Sequence, residues 1–145
     1  MANLGKYIAL EGPDGAGKTT QLKLLKSAFE QSEVPHLVTR EPGGTAVGAE
    51  LRQILLTGDT GKIGALTEAF LFSADRCHLA ASLIRPALAE GTFVISDRTY
   101  LTTLVFQGYG GCVPLHTLEQ LTDLAVGDTR PDLMLVLMVS PEKGL

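Results

Sequence analysis

Residues 12–19 read Gly12-Pro13-Asp14-Gly15-Ala16-Gly17-Lys18-Thr19, and Thr20 follows. Upstream lies the apolar run Tyr7-Ile8-Ala9-Leu10; downstream, Leu22, Leu25 and Phe29 share one face of a segment that reads as helix from Thr19 to Phe29. Strand, glycine-rich loop and helix in that order are the context of a phosphate-binding P-loop. The glycines let successive backbone N–H groups turn inward around an anion, and the helix N-terminus adds its positive dipole end. Lys18 then reaches the β- and γ-phosphates, and the Thr19 hydroxyl ligates Mg²⁺. The chain is therefore expected to bind a nucleoside triphosphate, or to descend from one that did.

Outward from this loop, short apolar runs alternate with helical spacing. His36–Thr39 reads as a second strand, followed by the loop Arg40-Glu41-Pro42-Gly43-Gly44-Thr45, which Pro and Gly keep out of regular structure. Val47–Leu56 has helical spacing, Thr57–Gly64 is a polar connector, and a long helix is predicted from Thr67 toward Ala89, broken or kinked near Pro86. Phe93–Ser96 gives a strand ending in Asp97-Arg98, Tyr100–Phe106 and Pro114–Val126 give helices, and Leu133–Val139 reads as a buried strand. Strands alternating with helices predict an α/β fold, a parallel sheet covered on both faces. Ligands collect at the carboxyl ends of such strands. The P-loop, the Arg40 loop and Asp97-Arg98 all lie at those ends and should converge.

The composition sets limits. A chain of 145 residues fits one domain, 1–145, and 45% hydrophobic residues is ordinary for a globular protein. A net charge of −4 argues against a general nucleic-acid or anionic-membrane binder, yet leaves room for a P-loop that works through backbone amides. Cys77 and Cys112 form no CxxC pair and read as free thiols. His36, His78 and His116 are scattered without metal-ligand spacing. With no signal-peptide pattern and no apolar run long enough to span a bilayer, a cytoplasmic protein is expected.

Two further clusters carry chemistry. Asp97 at a strand end can hold Mg²⁺, directly or through water, while Arg98 can fork onto a phosphate. Phe72, Arg76, Leu79 and Leu83 lie on one helical face, where Arg76 interrupts an apolar stripe with a charge that needs a partner if buried. An aromatic one turn before an arginine suits a flat heterocycle: Phe72 stacks and Arg76 donates to a carbonyl.

Together, Glu11–Thr20, Arg40–Thr45, Thr67–Arg76, Pro86-Ala87-Leu88, Asp97-Arg98 with Phe106-Gln107-Gly108, and Pro131-Asp132-Leu133 closely resemble the thymidylate kinases. The resemblance runs over essentially the whole chain. It implies a P-loop NTPase three-layer α/β/α fold and a transferase that moves the γ-phosphate of ATP to dTMP, giving dTDP and ADP in dTTP synthesis. By it, Gly12, Pro13, Asp14, Gly15, Ala16, Gly17, Lys18, Thr19 and Thr20 bind ATP, and Lys18, Asp97 and Arg98 are catalytic. Mg²⁺ falls to Thr19 and Asp97. The dTMP site takes Asp14 at the sugar 3′-hydroxyl, Arg98 on the phosphate with Arg40 nearby, Phe72 stacked on thymine and Arg76 at its carbonyl. Thr103 stands near the ring's polar edge, Phe106 beside the deoxyribose, and Pro42 and Gln107 complete the site. The resemblance also implies a homodimer packed through the long helix.

The chain departs from the pattern in places. Phe106 stands where the family often has Tyr, and Met138 where many relatives carry Asp. The sequence ends at Leu145, just after Ser140-Pro141-Glu142-Lys143-Gly144, where relatives enter an arginine-bearing lid followed by helices and a last strand. The arginine that one branch carries inside the P-loop is absent from Asp14-Gly15-Ala16-Gly17. An arginine at a phosphoryl transition state is worth about 10³–10⁵ in rate, so this chain by itself is expected to be a poor catalyst or inactive, even if dTMP still binds. Alternatives from the sequence are a kinase for another nucleoside monophosphate and a catalytically impaired nucleotide-binding remnant. A switch GTPase is disfavoured because Asn-Lys-x-Asp is absent; Asn3 is the chain's one asparagine.

Overall fold

Tyr7–Glu11 (β1), His36–Arg40 (β2), Phe93–Asp97 (β3) and Leu133–Val136 (β4) form one parallel sheet in the order β2-β3-β1-β4. This is a computed structural model, and it describes residues 5–57 and 63–140. Tyr7 faces Val94 and Ile8 faces Leu133 across β1's two edges, while His36 pairs with Phe93. The chain leaves β1 for β2 and later returns to fill the gap with β3. That order puts β1 where connections diverge, the position at which open α/β sheets bind ligands.

Successive side chains of a strand point to opposite faces. Tyr7 and Val94 pack with Leu79 and Ile84 on one face, joined by Leu37, Leu83 and Leu88. Ile8, Leu10 and Ile95 pack on the other against Leu22, Leu25 and Phe29 of Lys18–Gln31 (α1). The sheet thus lies between helical layers, as expected. A smaller cluster of Ala69, Val113 and Leu118 joins Ala65–Leu79 (α3) to Leu115–Val126 (α6). Ala46–Thr57 (α2) follows the Arg40 loop and packs on α3.

Three readings of the sequence need correction. The helix predicted from Thr67 toward Ala89 begins at Ala65 and loses its α register before Pro86, not at it. Ala80–Ile84 is a π-helical stretch, and Arg85–Ala89 (α4) carries Pro86 in its first turn. Pro86 lacks the N–H that would bond the Ser82 carbonyl, and its ring crowds that carbonyl. Widening the turn upstream absorbs the mismatch while Ile84 and Arg85 keep helical torsions (φ −69°, ψ −54° and φ −58°, ψ −47°). Likewise, Tyr100–Phe106 is a short α-helix, Tyr100–Thr103 (α5), continued by a π-helical stretch over Leu104–Gly110.

The third correction concerns Leu133–Val139. Its strand is shorter, Leu133–Val136, and lies at the sheet edge with Leu133, Leu135 and Val136 at 49%, 40% and 52% exposure. Seven apolar residues in a row read as buried on both faces, but apolarity alone does not distinguish a central strand from an edge. The middle of the Thr57–Gly64 connector and the residues after Ser140 lie outside the described residues. Cys77 and Cys112 are free and exposed.

Candidate functional site

β1 delivers the chain to the loop at Gly12, whose φ of +140° and position beside the Leu137 carbonyl leave no room for a side chain. A methyl group there would sit 2.5 Å from that oxygen. The loop closes through Ala16 N–H to the Pro13 carbonyl (3.3 Å), and Gly17, left-handed at φ +93°, turns it into α1. Lys18, 7% exposed, folds back so that Nζ donates to the Gly12 and Pro13 carbonyls, each at 2.8 Å. Burial, and then the neighbouring Arg98 charge, lower its pKa, with Asp97, Asp14 and Glu11 opposing.

Above the loop is a cleft of about 480 Å³ lined by Asp14, Gly15, Gly17, Lys18, Thr19 and Thr20 together with Arg40, Glu41, Arg52, Asp97 and Arg98. The three strand-end segments expected to converge do so here. Gly12 and Pro13 flank it on the far side of Arg98, in an apolar crevice of about 230 Å³ with Leu101, Val105 and Val136. One Asp97 carboxylate oxygen, Oδ1, is buried and has no hydrogen-bond partner among the described residues. Arg98 holds a left-handed backbone (φ 73°), fixed by its own N–H to the Leu10 carbonyl and by Ser96 Oγ donating to its carbonyl. From there its guanidinium donates to the Gly12 carbonyl and Thr102 Oγ1, each at 3.2 Å, and to the Asp14 carboxylate.

A second cleft of about 350 Å³ opens beside the first and shares Asp14, Glu41, Arg52 and Arg98 with it. Pro42, Phe72, Phe106 and Gln107 line it, as do Glu68 and Thr102. Three residues that the resemblance gave to the dTMP site are not in its lining: Arg40 lines only the first cleft, and Arg76 and Thr103 line neither. Arg76 and Thr103, each 2% exposed, stand behind the second cleft. Arg76 Nε donates to Glu41 Oε2 at 2.6 Å and Nη2 to Thr103 Oγ1 at 3.1 Å, while Nη1 is buried with no partner among the described residues. The partner that a buried Arg76 required is therefore Glu41, 4% exposed. Burial pushes the Glu41 carboxyl upward, and the Arg76 charge and hydrogen bond pull it back.

Sequence reasoning passed over several residues that build these walls. Glu41 continues the β2 ladder through its N–H to the Asp97 carbonyl (3.0 Å), which aims it inward. That is a strand-end position at which a charged residue already suggests a buried partner. Glu11 Oε1 accepts from Thr99 N–H and Oε2 from Thr102 Oγ1, each at 2.8 Å, tying β1 to the start of α5. The Arg40 loop is gripped from α2 and α3: Arg52 donates to the Pro42 carbonyl (2.9 Å) and Asp75 Oδ1 accepts from Gly43 N–H (3.2 Å). No local sequence signal marks Arg52 or Asp75, whose partners lie 10 and 32 residues away.

The grip depends on the close approach of α2 to α3 at Gly48. A methyl group there would sit 2.1 Å from Asp75 Oδ1. Gly48→Ala is expected to displace that carboxylate from Gly43 and cost about 1–3 kcal/mol, the range for overpacking. Urea denaturation checks this; an unchanged midpoint would show that the helices separate freely.

Residues 10–145 match the family model described as thymidylate kinase. The thymidylate kinase of Symbiobacterium thermophilum is 42% identical over 139 residues, covering 96% of this chain and 65% of the relative. That of Pelotomaculum thermopropionicum is 47% identical over 133 residues, covering 92% of this chain and 62% of the relative. The crystal structure of thymidylate kinase from Ehrlichia chaffeensis superposes with a TM-score of 0.83 at 35% identity, covering 96% of this chain and 78% of that one. The chain thus spans a little under two thirds of the length of the curated relatives it matches.

Proposed function

Because the chain belongs to the thymidylate kinase family, we propose that its first cleft takes the phosphates of ATP, that its second takes dTMP, and that the protein transfers the γ-phosphate to give dTDP. The observation that carries this reading is the wall the two clefts share. Asp14, Glu41, Arg52 and Arg98 border both, so a phosphate in one cleft abuts a phosphate in the other, as in-line transfer requires. In this reading Lys18 turns from the loop carbonyls to the β- and γ-phosphates, and Arg98 grips the acceptor phosphate. Phe72 stacks on the base and Phe106 flanks the sugar. Arg76 reaches the base carbonyl with Nη1 from behind the wall. The transfer forms no covalent bond to the enzyme; the residues place the acceptor oxygen and offset charge.

The residues fit Mg²⁺. Thr19 and Asp97 both line the first cleft, and Asp97 offers a buried oxygen without a partner among the described residues. Among the described residues no cluster of His, Cys, Asp and Glu could hold a metal alone, and Mg²⁺ commonly takes one or two protein ligands plus phosphate oxygens. When bound, Mg²⁺ neutralises charge on the β- and γ-phosphates. A homodimer through α3 is part of the same reading, supported by Leu66 and Phe70, which lie four residues apart on that helix at 47% and 55% exposure. A cytoplasmic location is likewise proposed; no described helix is long and apolar enough to cross a membrane.

Calorimetric titration of the 145-residue chain with dTMP, dUMP and UMP, alongside circular dichroism, tests the assignment. Selective dTMP binding is expected. A folded chain that binds none of them overturns the acceptor site. Lys18 supplies a second check. Because burial and Arg98 hold its pKa below the ordinary lysine value, and triphosphate oxygens oppose both effects, ATP binding should take up protons on the alkaline side, at pH values below the ordinary lysine pKa. Binding enthalpies in buffers of different ionisation heat measure this, and Lys18→Met should abolish the alkaline uptake.

A further inference from the structure

Gln107 is 5% exposed and lines the second cleft beside Glu68. Its Nε2 donates to Glu68 Oε2 at 2.9 Å. An ionised carboxylate accepts and cannot donate, so this contact decides which side of the amide faces which way. The NH₂ group is held by Glu68, and Oε1 is left buried with no partner among the described residues. Thr103, four residues earlier on the same helical segment, holds Nη2 of Arg76, whose Nη1 is the second buried atom without a partner. This wall therefore carries one free acceptor and one free donor, each fixed by a carboxylate: Glu68 for Gln107 and Glu41 for Arg76.

An acceptor on Gln107 and a donor on Arg76, the latter held by Thr103 one turn earlier on the same helical segment, complement an imide edge, where a ring N–H stands next to a carbonyl. The edge of an aminopyrimidine is reversed, with a bare ring nitrogen next to an NH₂ group. Set against this wall, it would oppose lone pair to lone pair and N–H to N–H, leaving buried groups unpaired. We propose that Glu68 is a positioning residue that fixes the direction of the Gln107 amide and so makes the cleft select an imide-bearing nucleotide over a cytosine nucleotide. This rests on the reading of the second cleft as the dTMP site. Glu68 acts through Gln107 and need not touch the base.

The test is titration of wild-type protein, Glu68→Gln and Glu68→Ala with dTMP, dUMP and dCMP. Glu68 is half-buried on α3, and two variants guard against a folding defect in either. Without the carboxylate the amide can turn over, presenting NH₂ where it presented oxygen. The dTMP-to-dCMP affinity ratio is expected to fall about tenfold or more, mainly through weaker dTMP binding, with the dTMP-to-dUMP ratio unchanged. A structural role alone would weaken all three nucleotides equally, and that result overturns the proposal. So does an undiminished dTMP-to-dCMP ratio in the folded variants. If wild-type protein shows no preference for dTMP, the acceptor assignment fails and this inference falls with it. The wild-type arm therefore separates the two failures.

Discussion

Glu41→Ala is expected to cost about 3–5 kcal/mol of folding stability, the range for removing one partner of a buried ion pair. Glu41 and Arg76 are 4% and 2% exposed and meet at 2.6 Å, so neither has water to fall back on. Arg76 already leaves Nη1 without a partner among the described residues; losing Glu41 would strand Nε as well. At about 2–4 °C per kcal/mol for a chain of this size, the melting temperature should drop by roughly 10 °C. The comparison that isolates the cause is Glu41→Leu with Arg76→Met, which removes both charges and should recover much of the stability. In the proposed reading the double variant should nevertheless fail to bind dTMP, because the donor assigned to the base is gone. A single-variant cost under about 1 kcal/mol would show that the pair is solvated and not the desolvated contact the geometry describes.

Arg98→Ala is expected to weaken dTMP binding by about 10- to 150-fold, the worth of a charge-assisted hydrogen bond, and to slow transfer in an active enzyme by about 10²–10³. Arg98 borders all three recesses at the strand ends and ties the P-loop carbonyl of Gly12 to Thr102. Lysine should restore little, since it lacks the planar fork. The left-handed backbone of Arg98 permits a sharper separation. A non-glycine residue at φ 73° carries strain of about 1–2 kcal/mol, which the Leu10 and Ser96 contacts hold in place. Arg98→Gly should therefore be more stable than Arg98→Ala by about 1 kcal/mol while binding dTMP no better. If glycine restored affinity, the backbone turn and not the guanidinium would be the binding element.

Local features of the chain were readable because their physics is local. The P-loop announces itself through glycines and Lys18-Thr19 at a strand–helix junction, and β1, β2 and β3 through short apolar runs. Arg76 shows the limit of that reading. Its need for a partner follows from one charge in an apolar stripe, yet the partner lies 35 residues away and only the fold brings Glu41 to it. Leu133–Val139 shows another limit, since composition reports apolarity and not which strands flank it. The π-helical stretches show a third limit: Pro86 was legible as a disturbance, but side-chain periodicity does not encode the wider turn of Ala80–Ile84 or of Leu104–Gly110. Phe72 was legible from its one-turn spacing to Arg76 and Gln107 through family likeness, whereas the carboxylates that pair with Gln107 and Arg76 came only from the structure.

The common wall of Asp14, Glu41, Arg52 and Arg98 also has a thermodynamic consequence. Side chains that border both clefts give each ligand a means of altering the other's equilibrium. Whatever factor an ATP analogue imposes on dTMP affinity, dTMP must return in equal measure to the analogue, since the two routes to the ternary complex close a cycle. In the proposed reading, donor and acceptor are linked ligands of one surface, and their affinities form a single matrix of constants instead of two separate numbers.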